Sequence, residues 1–347
     1  MRATTFLCAI AILLDGSNGK PKHEALSDEL VDYVNSQVDA TWKAAKSERF
    51  KTLEEIRSVL GTMREDQNVK EFRRPTISHE DITLELPSEF DAREHWPECR
   101  TIPQIRDQSG CGSCWAFAAV TAMSDRVCIH SNQTLVNVQL SATDLLACCT
   151  TCGFGCVGGW GGMAWDYWRD NGIVTGGEYK DSHTCLPYPF PPCRHHGAKG
   201  SEYPPCPEKM YSTPQCVSEC QKGYATKYED DKIRASTSYN LYRSVTAIQK
   251  EIWMRGPVEA TMNVYTDFAN YAGGVYKHTT GELLGGHAIR LLGWGVEEDG
   301  TPYWLAANSW NPSWGEKGFF RILRGSDHCG IESDVSAGLP VNHESFS

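Results

Sequence analysis

The stretch that decides the fold is Cys111-Gly-Ser-Cys114-Trp-Ala-Phe-Ala-Ala-Val-Thr-Ala-Met-Ser-Asp-Arg126. It opens on glycine and small residues and then repeats apolar side chains at Phe117, Val120, Met123 and Val127, the spacing of a buried helix. Cys114 stands at the start of that helix, where the positive end of the helix dipole favours thiolate over thiol. A thiolate nucleophile needs a base within hydrogen-bond reach and a third group to orient the base. Two later strand-like segments offer them: Gly285-Gly-His287-Ala288 and Asn308-Ser-Trp310. The histidine is flanked by small residues, and the asparagine is followed by a tryptophan able to shield their hydrogen bond from water. Gln108, six residues before Cys114, can donate its side-chain amide to a developing oxyanion beside the Cys114 backbone N–H. Taken singly, Cys114 reads as a disulfide half, His287 as a core histidine and Asn308 as a turn residue; the set is far more specific than its members.

Downstream of the helix the texture changes. Tyr271 to Tyr276, Gly286 to Trp294, Tyr303 to Ala307 and Gly318 to Leu323 read as strands bounded by glycine, proline or charged turns. A helical half beside a sheet half predicts an α+β fold with a cleft between them. The 347 residues, 40% of them hydrophobic, are enough to bury a sizeable core, which excludes a disordered chain and a scaffold held by disulfides alone. A formal net charge of -11 repels polyphosphate and anionic lipid, so nucleic-acid binding is not expected. Fifteen cysteines point to an oxidising compartment. Arg2 followed by the apolar run Phe6 to Leu14 reads as a signal peptide over residues 1–19, too short for a membrane span, and no later stretch is long enough for one.

Upstream of the body, residues 20–85 carry 25 charged residues, two prolines and no cysteine. Helical spacing recurs in Leu26, Leu30, Tyr33 and Val34 and in Leu53, Ile56, Val59 and Leu60, with Ser27 as a plausible helix start, and dissolves into a polar stretch beyond Gly61. Apart from Cys8 in the signal peptide, all fourteen cysteines lie after residue 98, so the chain divides into a cysteine-free leader, which reads as a removable segment or as a small helical accessory domain, and a cysteine-rich body. Asn132-Gln-Thr134 is a glycosylation acceptor.

Leu86 to Leu339 resembles the cathepsin B branch of the papain-like cysteine proteases. The resemblance rests on Phe90-Asp-Ala-Arg-Glu-His-Trp96, Ile105-Arg-Asp-Gln108, Cys111 to Phe117, Gly285 to Arg290, Pro302-Tyr-Trp-Leu305, Ala307-Asn-Ser-Trp310 and His328-Cys-Gly-Ile-Glu-Ser333. Leu26 to Asn35 is similar to the start of the family's short propeptide. The resemblance implies a papain-like two-lobed fold and a Cys-His-Asn peptidase working through an acyl-enzyme. In it Cys114 is nucleophile, His287 base and then acid, Asn308 the orienting group and Gln108 the oxyanion donor. It implies no metal and no cofactor. Its partners are protein and peptide substrates, its own propeptide (20–85) as inhibitor and cystatin-like inhibitors. It implies a monomer in the secretory pathway, lysosomal or secreted, with residues 86–347 as the catalytic domain.

Cys114 and His287 are 173 positions apart, against roughly 130 to 150 in other papain-like enzymes, and an insertion at about 185–206 bearing His195-His196 accounts for the excess. It resembles the family's occluding loop, whose histidines hold a substrate's terminal carboxylate and give dipeptidyl carboxypeptidase activity beside endopeptidase activity. By the same likeness Gly158 and Gly159 pair with substrate backbone, Trp310 covers the primed side, and the disulfides are Cys99-Cys128, Cys111-Cys156, Cys148-Cys216, Cys149-Cys152, Cys185-Cys220 and Cys193-Cys206. Three positions differ from or bear on the family pattern. Asp334 stands where the pocket for the second residue upstream of the scissile bond often has glutamate. Tyr203 and Ser313 stand where an arginine and an aspartate pin the loop. Asp107, expected to pair with His195, is present.

Overall fold

The computed structural model describes residues 23–47, 50–194 and 203–341. The expected signal peptide at 1–19 and the loop pair His195 and His196 lie outside them. In chain order the helices are α1 (Asp28–Asn35), α2 (Leu53–Arg57), α3 (Ala92–His95), α4 (Cys114–His130), α5 (Ala142–Cys148), α6 (Gly161–Asp170) and α7 (Val245–Arg255). The strands are β1 (Trp42–Ala44), β2 (Thr76–Ile77), β3 (Phe90–Asp91), β4 (Ala235–Leu241), β5 (Val258–Tyr265), β6 (Tyr271–Tyr276), β7 (Leu283–Val296), β8 (Pro302–Ala307), β9 (Phe319–Leu323) and β10 (Val335–Pro340).

One lobe is built around α4, which is buried from Cys114 to Cys128 at every position except Thr121. A helix covered all round needs no single apolar stripe, and small residues such as Ala116, Ala119 and Ala122 let neighbouring elements approach it closely. Trp115, Phe117, Leu145, Trp165 and Trp168 fill the space between α4, α5 and α6. The other lobe is a twisted sheet in the order β1-β6-β9-β8-β7-β5-β10-β4-β2, with β3 paired to the far end of β7. The four strands read from sequence correspond to β6, the body of β7, β8 and β9. β4, β5 and β10 were missed, although β5, buried at six of its eight positions, alternates Val258, Ala260, Met262 and Val264 with Glu259, Thr261 and Asn263 directly after Gly256-Pro257. Antiparallel pairing of β5 with β7 sets His287 opposite Met262, and pairing of β7 with β8 sets Arg290 opposite Ala307, so Asn308 leaves β8 beside His287.

The leader completes the sheet lobe. Ser27 caps α1 by accepting from Leu30 N–H at 3.1 Å, and β1 adds an antiparallel edge to β6 with Trp42 facing Gly274. Leu30, Val34, Trp42, Phe50, Ile56 and Val59 are all buried in the apolar cluster that holds Trp304, Trp310 and Phe320. The helical periodicity of the leader thus marks a surface that docks on the body, because segments this short cannot stabilise themselves. Six disulfides link Cys99–Cys128, Cys111–Cys156, Cys148–Cys216, Cys149–Cys152, Cys185–Cys220 and Cys193–Cys206. Among the described residues Cys114 and Cys329 are the free cysteines, and no helix is long and apolar enough to cross a membrane.

The lobes meet where Arg290 of β7 donates to Asp125 of α4 at 2.5 Å, both side chains being buried, and also to the carbonyls of Ile102 and Gln104. Replacing Arg290 by Met leaves Asp125 and those carbonyls without their donor inside the protein. The expected loss is about 3–5 kcal/mol, read as a fall in the guanidinium unfolding midpoint of the oxidised protein.

Candidate active site

Cys114 is the first residue of α4 and its side chain is fully buried. Burial pushes its thiol up, but the charge and hydrogen bond of His287, the Thr62 hydroxyl and the Ala288 backbone N–H outweigh that and bring it down to about 7. His287 Nε2 lies 2.8 Å from Asn308 Oδ1. Because Asn308 Oδ1 also accepts from Ser309 N–H at 2.8 Å, it is the amide oxygen; Nε2 therefore carries the ring proton, and Nδ1 is left to face the sulfur. The Trp310 ring lies 5.0 Å from the imidazole and is fully buried, keeping water from the His287–Asn308 bond. Gln108 is held by Ser309, whose hydroxyl donates to its Oε1 at 2.7 Å. A thiol that ionises near neutrality, an oriented imidazole and a fixed amide donor together suit nucleophilic attack on a carbonyl and stabilisation of the resulting oxyanion.

The leader runs through this cleft. Gly61 N–H donates to Cys114 Sγ at 3.2 Å, and the Thr62 hydroxyl lies 3.1 Å from the same atom. Thr62 N–H donates to the Gly286 carbonyl at 3.2 Å; Gly159 donates to Gly61 at 2.8 Å, and Met63 to Gly159 at 2.9 Å. Gln108 Nε2 donates to the Val59 carbonyl at 2.9 Å and to Cys111 at 2.7 Å, so its amide is engaged by the leader. Phe50 packs on Trp310 with ring centres 5.5 Å apart. Sequence reasoning did not find Val59, Gly61 and Thr62 as cleft residues, since they stand where the helical pattern ends. The signal present was Gly61 itself: a Cβ there would run into the Gly112 carbonyl.

Asp334 lines a cavity of about 490 Å³ together with Arg64, Glu65 and Asn240. Burial raises its carboxyl, while Arg64, a Thr261 hydrogen bond and Arg74 pull the other way. The Arg64 guanidinium, reaching in from the leader, donates to the carbonyls of Gly330 at 3.2 Å and Cys329 at 3.4 Å. Glu259, which the sequence did not single out, is fully buried nearby; Trp165 donates to it at 2.8 Å, and burial holds its carboxyl well above the usual range.

At the insertion, Asp107 accepts from Cys193 N–H at 2.9 Å and from Asn311 Nδ2 at 2.9 Å, and Asn311 also donates to the Cys193 carbonyl at 2.6 Å. Asn311 is a second residue that sequence reasoning missed: it ties the first limb of the loop to the segment bearing Asn308. The Ser313 hydroxyl donates to Asn311 Oδ1 at 2.5 Å. Gly158 adjoins Gly159 with φ at 137°, a conformation open to glycine. Asn132 is exposed in the turn after α4.

Comparison with known proteins follows this geometry. Residues 86–339 match the papain family cysteine protease model and residues 26–66 the peptidase family C1 propeptide model, leaving 67–85 between them. The chain is 57% identical over 317 residues to a cathepsin B-like cysteine proteinase of Schistosoma japonicum, covering 91% of each. It is 50% identical to cathepsin B-like cysteine proteinase 6 of Caenorhabditis elegans, covering 90% of this chain and 83% of that one. Among solved structures it resembles procathepsin B S9 from Trypanosoma congolense, with a TM-score of 0.77 and 35% identity over 91% of this chain and 98% of that one. A buried thiol at a helix start, lying beneath its own leader, fits the zymogen of a cysteine protease, and the chain belongs to the papain family, in its cathepsin B-like branch.

Gly61→Val should drive the leader off Gly112. Overpacking costs about 1–3 kcal/mol, so iodoacetamide alkylation of Cys114 in the intact chain, followed by mass, should quicken by about 5- to 150-fold.

Proposed function

We propose that Cys114, His287, Asn308 and Gln108 are the catalytic set of this zymogen. The observation that carries this is the thiol brought down to about 7 against full burial, with His287 fixed by Asn308. The thiolate attacks the peptide carbonyl; Gln108 Nε2 and the Cys114 N–H receive the oxyanion. His287 delivers the proton to the leaving amine, and the acyl-enzyme is hydrolysed by a water that His287 activates. Substrate backbone pairs with Gly158 and Gly159 once the leader has left, and Trp310 covers the primed side. Residues 20–85 are the inhibitory propeptide. Its contacts with Cys114, Gln108 and Gly159 support this reading, since each engages a group that substrate needs. His195 and His196 hold a substrate's terminal carboxylate and give dipeptidyl carboxypeptidase activity, a reading supported by the clamp of Asp107 and Asn311 on Cys193. Six disulfides favour the secretory pathway, lysosomal or secreted. Cystatin-like proteins would be its inhibitors, and the enzyme would act as a monomer.

Cys114→Ser should lower kcat/KM of the processed enzyme by about 10⁴ or more, because a serine hydroxyl has no low-pKa anion for this base; activity within about tenfold of the parent would sink the assignment.

Asp334 selects a basic side chain at the second position upstream of the scissile bond, and Arg64 of the leader already brings a guanidinium to that pocket. A hydrogen bond to a charged group contributes about 1.5–3 kcal/mol. Asp334→Ala should therefore cut the ratio of kcat/KM for Arg over Phe at that position by about tenfold or more. A ratio that stays put would remove Asp334 from specificity.

A further inference from the structure

The stretch 67–85 has an anchorage separate from the part of the leader that fills the cleft. Its strand β2 is the terminal strand of the sheet and pairs in parallel with β4, Asn240 and Tyr242 donating to the Pro75 and Ile77 carbonyls at 2.9 Å each. His79 is buried, and its Nε2 lies 2.6 Å from Oε2 of Glu251 on α7. Lys250 Nζ donates to the carbonyls of His79 at 2.9 Å and Ile82 at 2.6 Å, and Arg74 pairs with Asp166 of α6 at 3.0 Å. By contrast, Asp66 to Glu71 are exposed at every position. Their backbone bonds are mostly local: Val69 donates to Asp66 at 2.8 Å, and the Arg73 guanidinium donates to Gln67 and Asn68. A buried ion pair between Glu65 and Arg74 closes the base of this turn. Exposed, locally bonded turns are where proteases cut, and buried strands are where they do not.

We propose that the turn Asp66–Glu71 is the activating cleavage site and that residues 73–85 stay on the first active form as an added sheet-edge strand, before any trimming near Leu86. This rests on reading the chain as a Cys114 protease made as a zymogen. The step is hydrolysis: water gives hydroxyl to the acyl carbon and a proton to the amine nitrogen. The Glu71–Phe72 bond is the best match for a second copy of the enzyme, since Lys70 then falls in the pocket of Asp334. Cutting turns the cleft-filling part from a tethered inhibitor, at millimolar-order effective concentration, into one that can diffuse away.

Acid alone works the wrong way for release at the Glu65 contact. Burial pushes Glu65 up to about 7 against the pull of Arg74, with Asp334 and Asp166 adding to the rise. A carboxyl whose docked pKa is raised binds its proton more tightly docked than free, so falling pH favours the docked form there. The sheet-edge anchor is also resistant. Glu251 is opposed by burial but held at about 2 by Arg126, His79, Tyr239 and Arg255. Of these groups only His79 belongs to the leader, so only its hydrogen bond changes on release; because that bond lowers the carboxyl, it favours the docked form until the pH falls toward 2.

The test follows the full-length chain in mildly acid medium by intact mass and N-terminal sequencing, with epoxide labelling of Cys114 and hydrogen exchange at the Asn240 and Tyr242 amides. The first labelled species should begin between Gln67 and Arg73, before any trimming near Leu86. Its two amides should exchange at least about tenfold more slowly than in His79→Ala enzyme of near-parental kcat. Glu71→Pro, altered only in the exposed turn, should slow the appearance of active enzyme about fivefold or more. A first labelled species beginning at or beyond Leu86, an unchanged rate in Glu71→Pro, or amides that lose protection as labelling appears would each overturn the proposal. A chain that never labels at Cys114 would instead overturn the protease reading.

Discussion

The seam between α4 and β7 is the constraint on which the rest depends. Cys114 belongs to the helical lobe and His287 to the sheet lobe, so their meeting is a property of how the lobes dock. Arg290 stands three residues after His287 on the same strand, and Asp125 lies three turns along the helix from Cys114; their buried pair fixes the slide of one lobe against the other. A charge pair in that position contributes little net stability compared with apolar packing, but it makes other registers of the seam costly, since any of them leaves two charges unpaired inside the protein.

The leader acts on this seam as a third body. Its apolar residues enter the core of the sheet lobe, and its backbone then crosses to the helical lobe at Gly159. The proposed inhibition follows from that path. The sulfur, the amide of Gln108 and the backbone of Gly159 are all engaged by groups that lie in the way of a substrate. No special inhibitory chemistry is required, only a chain anchored on both sides of the cleft.

The electrostatics around Asp334 show how a precursor can carry a buried acidic pocket. Glu65, Glu259 and Asp334 lie close together, and burial raises all three carboxyls. Arg64 and Arg74 of the leader bring compensating charge to the same place. On the proposed cut Arg64 leaves together with Glu65 while Arg74 stays, and the place beside Asp334 that the Arg64 guanidinium occupied opens to a basic side chain of a substrate.

Much of this was legible in the sequence where local chemistry dictates local structure. The helix from Cys114, its small-residue start, the Ser27 cap, the strands carrying His287 and Tyr303 to Ala307, and the division between a cysteine-free leader and a cysteine-rich body each follow from spacing, turn residues or composition. β5 carries a legible alternation that sequence reasoning passed over, whereas β4 has the small polar run Ser236-Thr-Ser238 and β10 holds Gly338 and ends on Pro340, residues that do not announce a strand. Asn311, Glu259 and Thr62 were hidden for a different reason: nothing within ten residues of any of them predicts its partner. Only the tertiary structure decided that a polar stretch after Gly61 lies on the sulfur, that His79 reaches Glu251 across 172 positions, and that Asn311 holds the loop at Cys193. Those contacts join segments far apart in the chain, and their geometry is set by how two cores dock, which one-dimensional patterns do not encode.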